Sequence, residues 1–235
     1  MKIALLSIAT GKYDRFVTPL YESAISNFLP NHDLDFVLFT DSSQDFAVSG
    51  RESNVVKRHW PHEPWPNPTL KRYHAFVSAS DLISEYDYVY YSDVDMRFVS
   101  EVGDEVIGDL VATIHPGFFN KPRDAWSYEK RNESKAYVSP NEGRRYYAGG
   151  FNGGSSSRFL EMSREISSCV DEDSSHGIIA EWHDESHMNR YMKDNPPTVE
   201  LSPSYCYPES WPLPFEKKLL ALDKNHKELG NMGAR

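Results

Sequence analysis

Cysteine is scarce: Cys169 and Cys206 are the two in 235 residues. That is too few for a disulfide framework or a four-thiolate zinc site, and it fits a reducing compartment. Long apolar runs are missing too. No stretch approaches the roughly 20 residues that a membrane helix needs. The short run Ile3 to Ala9 after Met1-Lys2 reads as a buried strand rather than a signal peptide. The expectation is a soluble cytoplasmic protein without signal peptide or transmembrane anchor. Positive charge is in deficit, with 25 Lys and Arg against 35 Asp and Glu. A net charge of −10 argues against nucleic-acid wrapping or adhesion to an anionic membrane. Any anionic ligand therefore needs a local cation. The usual phosphate cradles are also absent: the first predicted loop lacks G-x-G-x-x-G, and nothing matches G-x-x-x-x-G-K-[ST]. A nicotinamide dehydrogenase is thereby disfavoured.

What is present is an ordinary globular composition, 39% hydrophobic and 26% charged, which excludes collagen, coiled coil and disorder. Ile3 to Ala9 reads as a strand, Asp14 to Leu29 as an amphipathic helix, and Leu34 to Thr40 as a second strand. After the proline-rich HWPHEPWPNP come a helix from Thr69 to Ser84 and strands at Tyr88 to Ser92 and Leu110 to His115. The segment to Asn141 is polar and loop-like. Ser157 to Val170 and Gly177 to Asp194 read as helices, the second closed by Asn195-Pro196-Pro197. Alternating strands and helices imply an α/β fold with a mostly parallel sheet flanked by helices. No repeat or long linker divides the chain, so residues 1 to 235 are expected to form a single domain.

In such sheets ligands gather beyond the carboxyl ends of the strands. The Tyr88 to Ser92 strand runs out into Asp93-Val94-Asp95. Alternate residues on extended backbone share a side, and two such carboxylates are hard donors for Mg²⁺ or Mn²⁺ with a substrate phosphate. The motif alone is equally compatible with two solvated aspartates.

In AEWHDESHMNRYM, residues Ile178, Trp182, Glu185, Asn189 and Met192 recur at helical spacing. Glu185 interrupts that apolar stripe, and a buried carboxylate is costly unless it is paired or functional. The competing explanation is a salt bridge to some Arg or Lys. His183 and His187 stand four apart, but Asp184 takes the place where a zincin needs Glu, which disfavours a zinc hydrolase. The glycine-rich Tyr146 to Gly154 reads by itself as a hairpin or tight turn, although glycines there would also let a ligand approach the backbone.

Taken together, TGKY at Thr10 to Tyr13, FTD at Phe39 to Asp41, DVDM at Asp93 to Met96, HPGFF at His115 to Phe119, SYEKR at Ser127 to Arg131, YYAGGFNGG, WHDESH at Trp182 to His187, LSP at Leu201 to Pro203 and KNH at Lys224 to His226 resemble the family 6 retaining glycosyltransferases. This group includes the histo-blood-group A and B enzymes and α-1,3-galactosyltransferase. The resemblance covers nearly the whole chain. It implies a nucleotide-diphospho-sugar transferase (GT-A type) fold, with residues 1 to 100 mainly binding UDP and metal and residues 101 to 235 mainly binding donor sugar and acceptor. It further implies transfer of N-acetylgalactosamine or galactose from UDP to a glycan hydroxyl in α-1,3 linkage. A metal-dependent hydrolase and a non-catalytic sugar-binding module are the alternatives.

Carried over by motif, Ala9, Thr10 and Tyr13 would lie near uracil and ribose, and Arg72 would be a donor-side arginine. Asp93, Val94 and Asp95 would meet the diphosphate, the two aspartates holding Mn²⁺ (or Mg²⁺). Ala148, Gly149 and Gly150 would select the donor sugar, His183 and Asp184 would contact it, and Lys224 would face the departing diphosphate. Glu185 would stand beside the anomeric carbon, as nucleophile or as stabiliser of an oxocarbenium-like state. His115, Ser127, Trp182 and Glu185 match acceptor positions. There are also departures. The family's C-terminal arginine aligns with Gly230, for which Lys227 or Arg235 are the nearby substitutes, and the family's acceptor-binding acid has no clear counterpart, Glu209 being nearest.

Overall fold

A computed structural model describes residues 1–48, 54–225 and 228–229. The apolar start of the chain forms strand β1 (Lys2–Ile8). Alternation sends Ile3 and Leu5 into one hydrophobic cluster and Ala4 and Leu6 into another, so both faces of the strand are covered. A short 3₁₀ turn, Gly11–Phe16, precedes helix α1 (Val17–Asn27), which buries Val17, Leu20, Tyr21 and Ala24 against the first cluster. The expected single helix from Asp14 is therefore two pieces. Strand β2 (Asp33–Thr40) follows, then β3 (Val55–His59), which the sequence reading did not foresee.

The expected helix from Thr69 to Ser84 breaks into α2 (Asn67–Leu70), α3 (Arg72–Ser78) and α4 (Ser80–Ile83). Strand β4 (Tyr88–Ser92) has the predicted bounds, and β5 (Met96–Phe98) and β6 (Leu110–Ile114) come next. Residues 116–145 contain a 3₁₀ turn, Arg123–Ala125, and otherwise irregular backbone. The glycine-rich segment is not a tight turn. It is strand β7 (Tyr147–Ser155), antiparallel to both β4 and β6. Gly153 is required by this central position, since a Cβ there would stand 2.4 Å from the Val89 carbonyl oxygen.

Helix α5 (Ser156–Ser175) outlasts its predicted end. Helix α6 (His183–Asp194) starts six residues later than expected, so Ile178 and Trp182 lie before it rather than on its face. Strands β8 (Val199–Leu201), β9 (Tyr207–Pro208) and β10 (Leu219–Ala221) complete the described elements.

Among the described residues the main sheet has seven strands in the order β3-β2-β1-β4-β7-β6-β8, with β7 alone running against its neighbours. Strands β5, β10 and β9 form a small second sheet. The chain builds outward from β1 through β2 to β3 and then returns to lay β4 on the other side of β1. The carboxyl ends of β1 and β4 thus flank a topological switch point, where open α/β sheets form a crevice. Both halves of the sequence contribute strands to this one sheet.

Candidate active site

At that switch point lies a cleft in two lobes of about 180 and 210 Å³, which share Thr69, Arg72 and Asp93. The first lobe is lined by Thr10 and Tyr13 after β1, by Asp93, Val94 and Asp95 after β4, and by Lys224. The second is lined by His115, Gly149, Gly150, Trp182, His183, Asp184 and Glu185. Most residues singled out in the sequence thus converge, although they come from seven separate segments. Ala9 and Ala148 are buried in the structure behind the cleft rather than lining it. Ser127 does not line it either. Glu209 is exposed and accepts the Asp223 amide at 3.0 Å. His226, Lys227, Gly230 and Arg235 lie outside the described residues.

Arg72, at the start of α3, is the buried centre of the site. It donates to the Gly149 carbonyl at 2.8 Å and to Asp93 Oδ1 at 3.0 Å. Its Nη1 also lies 3.1 Å from Asp184 Oδ2, and its guanidinium sits 4.4 Å over the Tyr91 ring. Burial opposes its charge, but Asp184, Tyr91 and Asp93 outweigh burial and raise its pKa. The Tyr91 hydroxyl fixes Asp93 further, donating to Oδ1 at 2.6 Å.

Asp95 is 5% exposed, and the Lys224 ammonium is pressed against its Oδ2 as an ion pair. Burial lowers the Lys224 pKa, with Asp93 opposing. Asp95, turned inward, and Asp93, 36% exposed at its side chain, are two hard oxygen donors that fit a divalent ion, which would share Asp95 with Lys224. Among the described residues no third His, Cys, Asp or Glu joins them. The remaining positions would fall to phosphate and water.

Glu185 projects from the first turn of α6 toward β7, where its Oε2 accepts the Gly149 amide at 2.8 Å. The salt-bridge explanation belongs to its neighbour: Arg72 pairs with Asp184. Burial pushes Glu185 up to about 7, outweighing the Gly149 N–H and the nearby Tyr146 hydroxyl, which both favour the anion. Burial likewise raises Asp184 to about 7 against the pull of Arg72. Asn189 sets the register of the helix on the strand. Its Oδ1 accepts Tyr147 N at 2.8 Å, and its Nδ2 donates at 2.9 Å to the carbonyls of Tyr147 and Glu185. His183 opens the helix with φ of +51°, a left-handed conformation that a histidine adopts only at a cost.

The two histidines do not converge as a zinc pair. The His183 ring meets Trp65 edge-on at 4.9 Å, whereas buried His187 lies 3.5 Å from Asp173. On the opposite wall, Gly117 N–H donates to His115 Nδ1 at 3.0 Å, which leaves the proton of the neutral ring on Nε2. Burial lowers His115 to about 4, so the ring is neutral at pH 7.

Sequence reasoning missed His62, Trp65 and Thr69, which line the first lobe. His62 Nδ1 lies 3.1 Å from Thr10 Oγ1. The signal was there: two aromatic rings in a proline-rich loop that follows a strand toward the ligand side. Cys206 also stands at the site: its sulfur lies 3.1 Å from where a Gly150 Cβ would stand, with Asp93 Oδ2 at 3.2 Å.

A family model described as "Glycosyltransferase family 6" matches residues 1–233. The chain is 35% identical to histo-blood group ABO system transferase 1 of Rattus norvegicus, over 97% of this chain and 68% of that protein. It is 34% identical to globoside alpha-1,3-N-acetylgalactosaminyltransferase 1 of Gallus gallus, over 98% and 70%. Similarity to the O-antigen biosynthesis glycosyltransferase WbnI of Escherichia coli is 29%, over 97% of both chains. Among the described residues no helix is long and apolar enough to cross a membrane.

Proposed function

The chain belongs to glycosyltransferase family 6, and from that premise we propose that it moves N-acetylgalactosamine, or galactose, from a UDP donor to a glycan hydroxyl in α-1,3 linkage with retention. The observation that carries this reading is the joint wall around Arg72: a strand-end aspartate, a donor-facing glycine amide and two inward carboxylates, Asp184 and Glu185. A GT-A type fold is consistent with the cleft at the β1/β4 switch point.

In this reading the first lobe takes UDP, and Lys224 offsets the charge that develops on the departing diphosphate. Asp93 and Asp95 would hold Mn²⁺ or Mg²⁺, which would supply further charge neutralisation at the leaving group. Arg72 keeps Asp93 and Asp184 in fixed positions, and Asp184 orients the donor sugar. Glu185, held by the Gly149 amide, either attacks the anomeric carbon or stabilises positive charge there. His115 offers an Nε2–H to an acceptor oxygen. A metal-dependent hydrolase would need no acceptor wall, and a binding module would have no use for a carboxylate raised to about 7.

The absence of a side chain at Gly150, which lines the second lobe, favours the N-acetylated donor, by a margin that a pocket-size effect limits to about 1 to 3 kcal/mol. The test is UDP release with UDP-N-acetylgalactosamine and UDP-galactose in competition, with and without glycan acceptors. Acceptor-dependent release, with the N-acetylated sugar in excess in the product, is expected. Galactose in excess would reject the donor assignment, and release that no acceptor stimulates would favour the hydrolase.

A further inference from the structure

A separate cavity of about 520 Å³ lies beneath the irregular 116–145 segment, lined by Arg123, Trp126, Tyr128, Lys130, Tyr137 and Val138. Its volume falls within the range of small-molecule sites. Trp126 and Tyr137 are half-buried, so each offers part of a ring face to a visitor. Arg123 spends Nη1 and Nη2 on the carbonyls of Pro140 and Ser139. Its Nε is buried without a hydrogen-bond partner among the described residues, so the polar groups open to a visitor are those of exposed Asp124 and Lys130 at the rim. Polar groups at the rim beside ring faces suit a ligand with both an apolar face and hydroxyls at its edge.

The cavity is linked to the candidate active site through shared wall residues. Lys130 also lines an open depression of about 460 Å³ together with Ile179 and His183. His183 in turn lines the lobe that contains Glu185. Ile179 and Trp182, 47% and 37% exposed, pave the surface between the two ends. The three hollows thus share one residue at each junction.

We propose that this aromatic cavity is a distal subsite for the acceptor glycan, in which a pyranose ring lies against Trp126 and Tyr137 and its hydroxyls meet Asp124 and Lys130 at the rim. The proposal rests on the glycosyltransferase reading above, since it is the acceptor chain that would run along the path from Glu185. A lipid chain would bring nothing to pair with Asp124 and Lys130, and a wall of mixed charge, Arg123 and Lys130 with Asp124, suits a neutral polyhydroxyl ligand better than a phosphate. A carbohydrate satisfies both ends of the site.

The experiment is saturation-transfer NMR on the UDP-loaded protein with a panel of β-galactose- and β-N-acetylglucosamine-terminated monosaccharide glycosides and tetrasaccharides. At least one tetrasaccharide is expected to bind tenfold or more tightly than its matching monosaccharide. That gain should vanish in Trp126→Ala and in Tyr137→Ser, with monosaccharide and UDP affinities and the melting temperature unchanged. Should Trp126→Ala fail to fold, Tyr137→Ser carries the test. No gain with length anywhere in the panel, a gain that survives both substitutions, or an equal loss for the monosaccharide would overturn the proposal. Because binding is read without turnover, failure of every UDP-sugar to be transferred would reject the functional reading while leaving the length effect measurable.

Discussion

Glu185 is the residue on which the chemistry turns, because its carboxylate accepts a backbone amide rather than a cation. Replacing it by Gln keeps the shape and removes the charge, so turnover should fall by roughly 10²-fold or more while UDP affinity and melting temperature hold. A destabilised but fully active Glu185→Gln would identify a structural carboxylate instead. Burial raises its pKa to about 7, so in the free enzyme the anion accumulates as pH rises through neutrality. kcat/KM should therefore climb through that region, and a profile flat across it would contradict the assignment. Asp95 supports a parallel test. If Asp93 and Asp95 hold a divalent ion, excess chelator or Asp95→Asn should abolish turnover, which Mn²⁺ restores only in the unsubstituted protein. Full activity in chelator would count against a metal.

Helix α6 matters because it carries Asp184 and Glu185 together, and its placement depends on side chains that touch no ligand. Asn189 is 1% exposed and satisfies both backbone groups of Tyr147. Asn189→Ala would leave those groups buried and unpaired, at a cost of about 2 to 4 kcal/mol. It would also free Glu185 from its strand, so kcat should fall more than donor affinity. Glu129 secures the approach to the same helix, accepting from Arg131 and from the Glu181 amide at 2.8 Å. Burial opposes its charge, but Arg131 and these amides hold its pKa at about 2. Its stabilisation, on the order of 3 kcal/mol, is thus complete above the ordinary carboxylate pKa and lost as pH falls toward 2. Acid unfolding of Glu129→Gln should show a melting temperature lowered at neutral pH, and a difference from the parent that closes in acid.

Over the whole molecule, the sheet is what brings separate sequence segments to one point, and β7 is its least forgiving strand. It lies between β4 and β6, and there is no space above Gly153, where a Cβ would meet the Val89 carbonyl oxygen at 2.4 Å and the Tyr90 ring at 2.5 Å. Gly153→Ala should separate β4 from β7 and cost more than about 3 kcal/mol, read as a fall in denaturant midpoint. Because Gly149 and Gly150 ride on the same strand, donor affinity should fall with it. A variant of parental stability would mean that the strands can part without loss.

The sequence by itself determined that β1, β2, β4 and β6 are buried strands, because unbroken apolar runs of that length have few other solutions, and it placed Asp93 and Asp95 at the end of one of them. It also marked Glu185 as a charge out of place. Periodicity could not show where α6 begins: Ile178 and Trp182 fit the helical spacing, yet Ile178 N bonds back to the Asp173 carbonyl at 2.9 Å and helical backbone starts only at His183. Nor could glycine content reveal that Tyr147 to Ser155 is a central strand, since glycine marks turns locally and becomes strand-compatible only when neighbours on both sides need the space. Tertiary structure alone assigned Arg72 to Asp184 and gave Glu185 to the Gly149 amide. Partners 36 and 112 residues apart are chosen by the order in which strands are laid down, and no local pattern carries that order.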